Sequence, residues 1–134
     1  MNNYRFNLDG QEDLIYVDII VDGHQLRFIL DTGATNSVID INVLLMLGYP
    51  TTSSPHSSEV LFLETANGVV EASSTVIRSF KALGLTHTDF PILTYDFIAG
   101  GITSYYDGML GLDFFKNTIL SLDFRNNQIT LTYN

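Results

Sequence analysis

The chain contains no cysteine. Neither a disulfide framework nor a thiolate metal site can form, and the absence fits a reducing compartment. Bases are also scarce: six Lys and Arg stand against 15 Asp and Glu, for a formal charge of −9. Such a balance favours solubility and repels polyanions, so neither nucleic acid nor an anionic membrane is expected as a partner. No apolar run approaches the roughly 20 residues of a membrane span. Met1 to Arg5 does not open a basic stretch followed by an apolar one, so the expectation is a soluble, cytoplasmic protein without an export signal. His24, His56 and His87 lie in turns or loops without metal-ligand spacing, so no metal and no cofactor is expected.

What is present is enough for one core. With 134 residues, 46% of them hydrophobic, the chain reads as a single domain over residues 1–134 and is too short for two. Leu14 to Val21 and Gln25 to Leu30 are strand-like runs separated by Asp22-Gly23-His24, which is hairpin punctuation. Asp40 can cap a short helix through Val43 to Leu47, and Gly48 and Pro50 stop it. Thr51 to Ser58 reads as a surface loop. Glu59 to Leu63 and Val69 to Ile77 flank a second hairpin signal at Ala66-Asn67-Gly68. Further strands are predicted at Val76 to Leu83, Leu85 to Thr88, Pro91 to Tyr95, Thr118 to Phe124 and Gln128 to Tyr133. Asp96 to Asp107 is a long connection, unusually apolar for a structureless one. No repeat or linker divides the chain.

One stretch carries chemistry. The apolar run Phe28-Ile29-Leu30 delivers Asp31-Thr32-Gly33-Ala34-Thr35, and the chain leaves through Val38-Ile39. A carboxylate set on a Gly-containing turn at the edge of a core sits where desolvation and neighbouring acids can tune it for catalysis. These residues resemble the active-site motif of the aspartic peptidases, and the short chain around them resembles the single-domain, retropepsin-like branch. The order of features is similar along nearly the whole length: hairpin, motif, helix, a hairpin in the position of the flap (Ala66, Asn67, Gly68, Val69), the apolar-apolar-Gly step Met109-Leu110-Gly111, and terminal strands.

The resemblance implies a mostly β, closed, antiparallel barrel-like acid-protease fold with one or two short helices, assembled as a homodimer. It implies that Asp31 is catalytic, that Thr32 bonds across the two-fold axis and Gly33 lets two loops approach, and that Met109, Leu110 and Gly111 support the loop from behind. Hydrolysis by carboxylates needs one ionised acid to draw a proton from water and one protonated acid to bond the scissile carbonyl. The sequence holds a single Asp-Thr-Gly, because Asp22-Gly23 and Asp107-Gly108 read as turns. The second acid is therefore expected from a second copy of Asp31. The expected substrate is an extended peptide or protein segment, cleaved by an aspartic endopeptidase.

Two departures from the family stand out. Thr35 occupies a place where viral members often carry a second Asp, and Asp96 to Asp107 looks like an insertion. Asp113 and Asp123 read as cap and turn acids, and Phe114 and Phe115 as core. Two other readings keep part of this pattern. One is a catalytically silent retropepsin-like module that dimerises or binds peptide, and the other is a monomeric barrel that binds a small apolar ligand.

Overall fold

The structure is a computed structural model and describes residues 2–6, 14–50, 61–65, 68–102 and 105–133. The loop expected at Thr51 to Ser58, His56 within it, and the turn residues Ala66 and Asn67 lie outside the described residues.

β1 (Asn2–Arg5), β2 (Tyr16–Val21) and β3 (His24–Leu30) lead to the Asp31 turn. β2 and β3 pair antiparallel with Val21 opposite His24, and the turn between them has Asp22 at φ 49° and Gly23 at φ 86°. Both central residues are thus left-handed, the geometry whose twist matches the strands it joins. β4 (Val38–Asp40) follows, and Asp40 caps α1 (Ile41–Met46) by accepting from the Asn42 backbone N–H at 3.2 Å. Gly48, at φ 86°, closes the helix.

β5 (Leu61–Thr65) and β6 (Gly68–Ala82) form the hairpin expected at the flap position. β7 (Leu85–Tyr95) then pairs with β6 over almost its full length. The sequence divided each of these long strands in two. Tertiary pairing joins the halves: Pro91 sits in the ladder opposite Val76, and Asp89, at φ 52°, interrupts pairing only locally. Opposite that break the Arg78 N–H turns to the Tyr49 hydroxyl at 3.2 Å, so the backbone donor stays satisfied.

β8 (Gly108–Leu110) precedes a 3₁₀ helix (Leu112–Phe115), β9 (Ile119–Asp123) and β10 (Gln128–Thr132). The ring β2-β3-β8-β4-β7-β6 is closed by pairing of β2 with β6, giving a six-stranded barrel from which the β5–β6 hairpin extends. It is not uniformly antiparallel. β3 runs parallel to β8, and β4 runs parallel to β7. Ile19, Phe28, Ile39, Phe80, Leu110 and Phe114 fill the interior, with Phe80 stacked on Phe90 at 4.8 Å. A second apolar cluster lies outside the barrel, where Val38, Ala72, Tyr95 and Phe97 pack beneath the hairpin.

The terminal strands form a separate sheet ordered β1-β10-β9. Asn2 to Arg5 pair with Leu131 to Gln128 of the same chain, so both edges of β10 are occupied and, among the described residues, the free edges are those of β1 and β9. No helix among the described residues is long and apolar enough to cross a membrane.

Candidate active site

β3 carries Asp31 out of the core. Phe28 is fully buried and Ile29 nearly so, and the ladder with β8 ends at Leu30 opposite Leu110. The Asp31 N–H then donates to the Leu110 carbonyl at 2.9 Å, which fixes the acid's backbone to the Met109-Leu110-Gly111 step. Within the turn, the Gly33 N–H donates to Asp31 Oδ1 at 3.1 Å and the Ala34 N–H to the Asp31 carbonyl at 3.1 Å. The carboxylate is aimed by its own loop. Thr32 and Gly33 are exposed in the single chain, as are Thr35 and Asn36, while Asp31 and Ala34 are half-buried.

The loop is anchored a second time. The Leu112 N–H donates to the Ala34 carbonyl at 2.9 Å and the Asp113 N–H to the Thr35 carbonyl at 3.2 Å. Ser37, fully buried, donates its N–H to both Asp113 oxygens at 2.9 Å and its hydroxyl to Oδ1 at 2.7 Å. The same hydroxyl accepts from the Gly111 N–H at 2.9 Å. Asp113 is therefore not the cap expected from sequence, because Gly111 holds the N-cap position of the 3₁₀ helix without a side-chain bond. It is a long-range bracket, and its chain separation from Ser37 hid it. A small hydroxyl residue immediately before the apolar pair Val38-Ile39 was the available signal. Asp123 is the turn acid expected, accepting from the Arg125 and Asn126 N–H groups at 3.0 Å.

Gly111 is required by contact rather than by conformation. A Cβ there would lie 2.7 Å from the Asn36 carbonyl carbon and 2.8 Å from the Ala34 oxygen. Gly108 is tighter still, with 2.4 Å to Phe28 Cζ and to the Val38 oxygen. Gly108 lets β8 lie tightly between β3 and β4, and Gly111 lets the start of the 3₁₀ helix lie directly against the loop. Asp107 adds a clasp upstream: its carboxylate accepts from the Arg27 N–H at 2.9 Å and its carbonyl accepts from the Asp40 N–H at 2.8 Å.

In front of Asp31 lies a cleft of about 530 Å³. The Asp31 loop, including Gly33, Ala34 and Thr35, contributes to the lining, as do Leu63 and Glu64 of β5 from the hairpin. Ile29, Val38, Leu93 and Met109 make its floor, with Tyr95, Ile102 and Tyr106 beyond them. Among the described residues the lining holds two acids and no Lys, Arg or His. Burial, followed by the neighbouring Tyr106 and Asp40, raises the Tyr95 hydroxyl above the usual tyrosine range, so it stays protonated. Of the flap residues, Gly68 and Val69 start β6 and are exposed. No cluster of His, Cys, Asp and Glu able to hold a metal occurs among the described residues. His87 is half-buried, with Nε2 3.0 Å from the Phe114 carbonyl, rather than a free surface residue.

A family model described as aspartyl protease matches residues 17–114, which span β2 to the 3₁₀ helix. The chain belongs to that family. Among solved structures, a retropepsin-like aspartic protease from Rickettsia conorii superposes with a TM-score of 0.67 at 14% identity, covering 98% of this chain and 91% of that one. EIAV protease in complex with the inhibitor HBY-793 superposes with a TM-score of 0.58 at 21% identity, covering 81% of this chain and 90% of that one. No curated protein matches the chain by sequence. The fold of this aspartyl protease family member is thus retropepsin-like.

Proposed function

We propose that this protein is an aspartic endopeptidase whose reacting groups are Asp31 of two copies meeting across a two-fold axis. The observation that carries the reading is the doubly anchored loop, which holds Asp31 in the lining of a largely apolar cleft of about 530 Å³. In the dimer one Asp31 is ionised and takes a proton from the attacking water, while the other is protonated and bonds the scissile carbonyl. Two carboxylates this close share one proton, because like charges about 3 Å apart cannot both ionise. Exposed Thr32 and Gly33 are free to meet their copies at the axis. The hairpin of β5 and β6 covers the peptide and excludes water.

Glu64 is the other acid of the cleft, but it sits on the hairpin and not on the anchored loop. The second copy approaches by the face around Thr32, where Leu112 is 49% exposed beside Ala34 and Ile119 is 65% exposed on the free β9 edge. Both edges of β10 being taken, a partner strand cannot insert beside it without displacing one of the chain's own. The deciding experiment incubates the purified protein with a mixed peptide library. Wild type cleaves, Asp31→Asn loses cleavage while keeping fold and dimer, and Glu64→Gln retains turnover. Cleavage surviving Asp31→Asn overturns the reading.

A further inference from the structure

A second cavity, of about 380 Å³, shares no lining residue with the cleft of Asp31. It forms because β2 outruns its neighbour on one side. β3 pairs with all of β2, from Tyr16 to Val21, whereas β6 pairs only with Ile19 to Val21 and ends at Ala82. The chain then turns through Leu83 and Gly84, left-handed at φ 52° and 78°, so Tyr16 to Asp18 have no strand beside them on that side among the described residues. The terminal sheet borders this opening, contributing Tyr4 and Arg5 of β1 and Ile129 of β10 to the lining. The Tyr133 hydroxyl donates to the Gly84 carbonyl at 2.8 Å and ties the end of that sheet to the turn. The cavity is thus framed by the fold itself.

Val17, Ala82, Leu83 and Ile129 are buried and give the lining an apolar base, with the half-buried rings of Tyr4 and Tyr16 beside them. Among the described residues its charged groups are two bases, Arg5 and Lys81, and one acid, Asp18. That is a positive excess on a chain of formal charge −9 with only six Lys and Arg. Asp18 is offset from outside the cavity, because Arg27 stands directly opposite it on β3, its guanidinium 3.6 Å from the Tyr16 ring centre. Arg5 and Lys81 have no such counterpart: the ion pair found among the described residues joins Arg78 to Asp22. Lys81 and Gln25 lie opposite Ile20 from its two sides, so a cation and an amide flank an apolar side chain on one sheet face.

We infer that this cavity is a binding site for a small aromatic carboxylate, its ring packed by the tyrosines and the apolar base and its charge met by Arg5 and Lys81. The inference stands apart from the peptidase reading, since it uses no residue of the cleft. An inorganic anion leaves the apolar base unmatched, a neutral aromatic molecule leaves the two bases unanswered, and a cation is repelled by them. A carboxylate on a flat apolar body answers both, removing apolar surface from water while the anion gains charge-assisted hydrogen bonds. The volume suits such a ligand, since small-molecule sites span about 300–1,000 Å³.

The test titrates the full chain with 2-naphthoate and, separately, with its uncharged isostere 2-naphthamide, reading binding heats and backbone amide shifts. 2-Naphthoate is expected to saturate and to shift the amides of Arg5, Tyr16 to Asp18 and Lys81 to Gly84, leaving those of Asp31 to Asn36 in place. 2-Naphthamide is bound at least about fivefold more weakly. Arg5 and Lys81 are exposed, so both can be replaced without disturbing the core. The double variant Arg5→Gln, Lys81→Gln weakens 2-naphthoate at least about fivefold, whereas Lys116→Gln, outside the cavity, leaves it within about twofold. Equal affinity for acid and amide, shifts confined to the Asp31 loop, a double variant that binds like wild type, or no saturation at millimolar 2-naphthoate overturns the inference. Peptide cleavage is measured separately, so failure of this site and failure of the peptidase reading are told apart.

Discussion

Ser37 and Asp113 meet behind the Asp31 loop, the serine hydroxyl donating to Asp113 Oδ1 at 2.7 Å and the serine N–H to both carboxylate oxygens at 2.9 Å. Three donor contacts from one residue to one carboxylate make a rigid joint between the start of β4 and the 3₁₀ helix. The same helix holds the Asp31 loop through the Leu112 and Asp113 N–H groups, which donate to the Ala34 and Thr35 carbonyls.

Removing the carboxylate leaves a buried hydroxyl and N–H without their acceptor, a penalty of about 1–3 kcal/mol. Asp113→Ala is therefore expected to lower stability by that amount in a denaturant titration and to reduce kcat more than it changes KM. Asp113→Asn keeps one acceptor oxygen and has the smaller effect. Equal behaviour of the two variants would count against the bracket.

The close approach at Gly111 leads to a second expectation. A methyl group at 2.7–2.8 Å from backbone atoms of the loop cannot be accommodated without moving it. Gly111→Ala is expected to cost about 1–3 kcal/mol by overpacking and to depress cleavage out of proportion to its effect on melting. Gly108→Ala, at 2.4 Å from Phe28 and Val38, has the larger stability cost. Thermal melts and peptide turnover measured together distinguish the two sites.

Asp22 makes stability depend on pH. Burial raises its pKa, but the Tyr49 hydroxyl bond outweighs this together with the Arg78 charge and the bonds from Ser79 and Arg78, leaving it below the usual carboxylate range. Its contribution is thus present above the unfolded value of about 3.9 and is lost as pH falls through the folded value. Tyr49 acts in the opposite direction: burial, then the bond to Asp22, raise its pKa, so its contribution is lost as pH climbs from about 10 towards the folded value. Tyr49→Phe removes both dependences that run through this bond and is expected to cost about 1 kcal/mol at neutral pH. Unfolding free energies followed across pH compare the two proteins, and identical pH profiles would refute the coupling.

Self-association is expected to depend on Leu112 and Ile119, exposed beside the loop and on the free edge of β9. Leu112→Glu or Ile119→Glu should raise the dimer dissociation constant at least about tenfold, 1.4 kcal/mol, with the fold retained. Sedimentation measures this directly, and an unaltered constant would place the interface elsewhere.

Much of the fold was legible from local pattern. The Asp22-Gly23 turn, the Asp40 cap and the Gly48 stop each depend on residues a few positions apart, and each stands where the sequence puts it. The long strands were not legible as units, because Asp89 and Pro91 look like breaks until β6 supplies a partner on which they can sit. The parallel runs of β3 with β8 and of β4 with β7 were equally hidden, since register between distant segments leaves no local mark. Nor does anything around Asp113 reveal that Ser37 lies against it.

The sequence by itself determined that Asp31 would stand on a Gly turn at the end of a buried strand, because strand periodicity and turn chemistry are properties of neighbouring residues. It also shows that these 134 residues hold a single Asp-Thr-Gly. Only the tertiary structure decided what holds that acid and what surrounds it. Ser37 with Asp113, and the contact-limited Gly108 and Gly111, bring together segments far apart in the chain, where close packing rather than local propensity selects the residue.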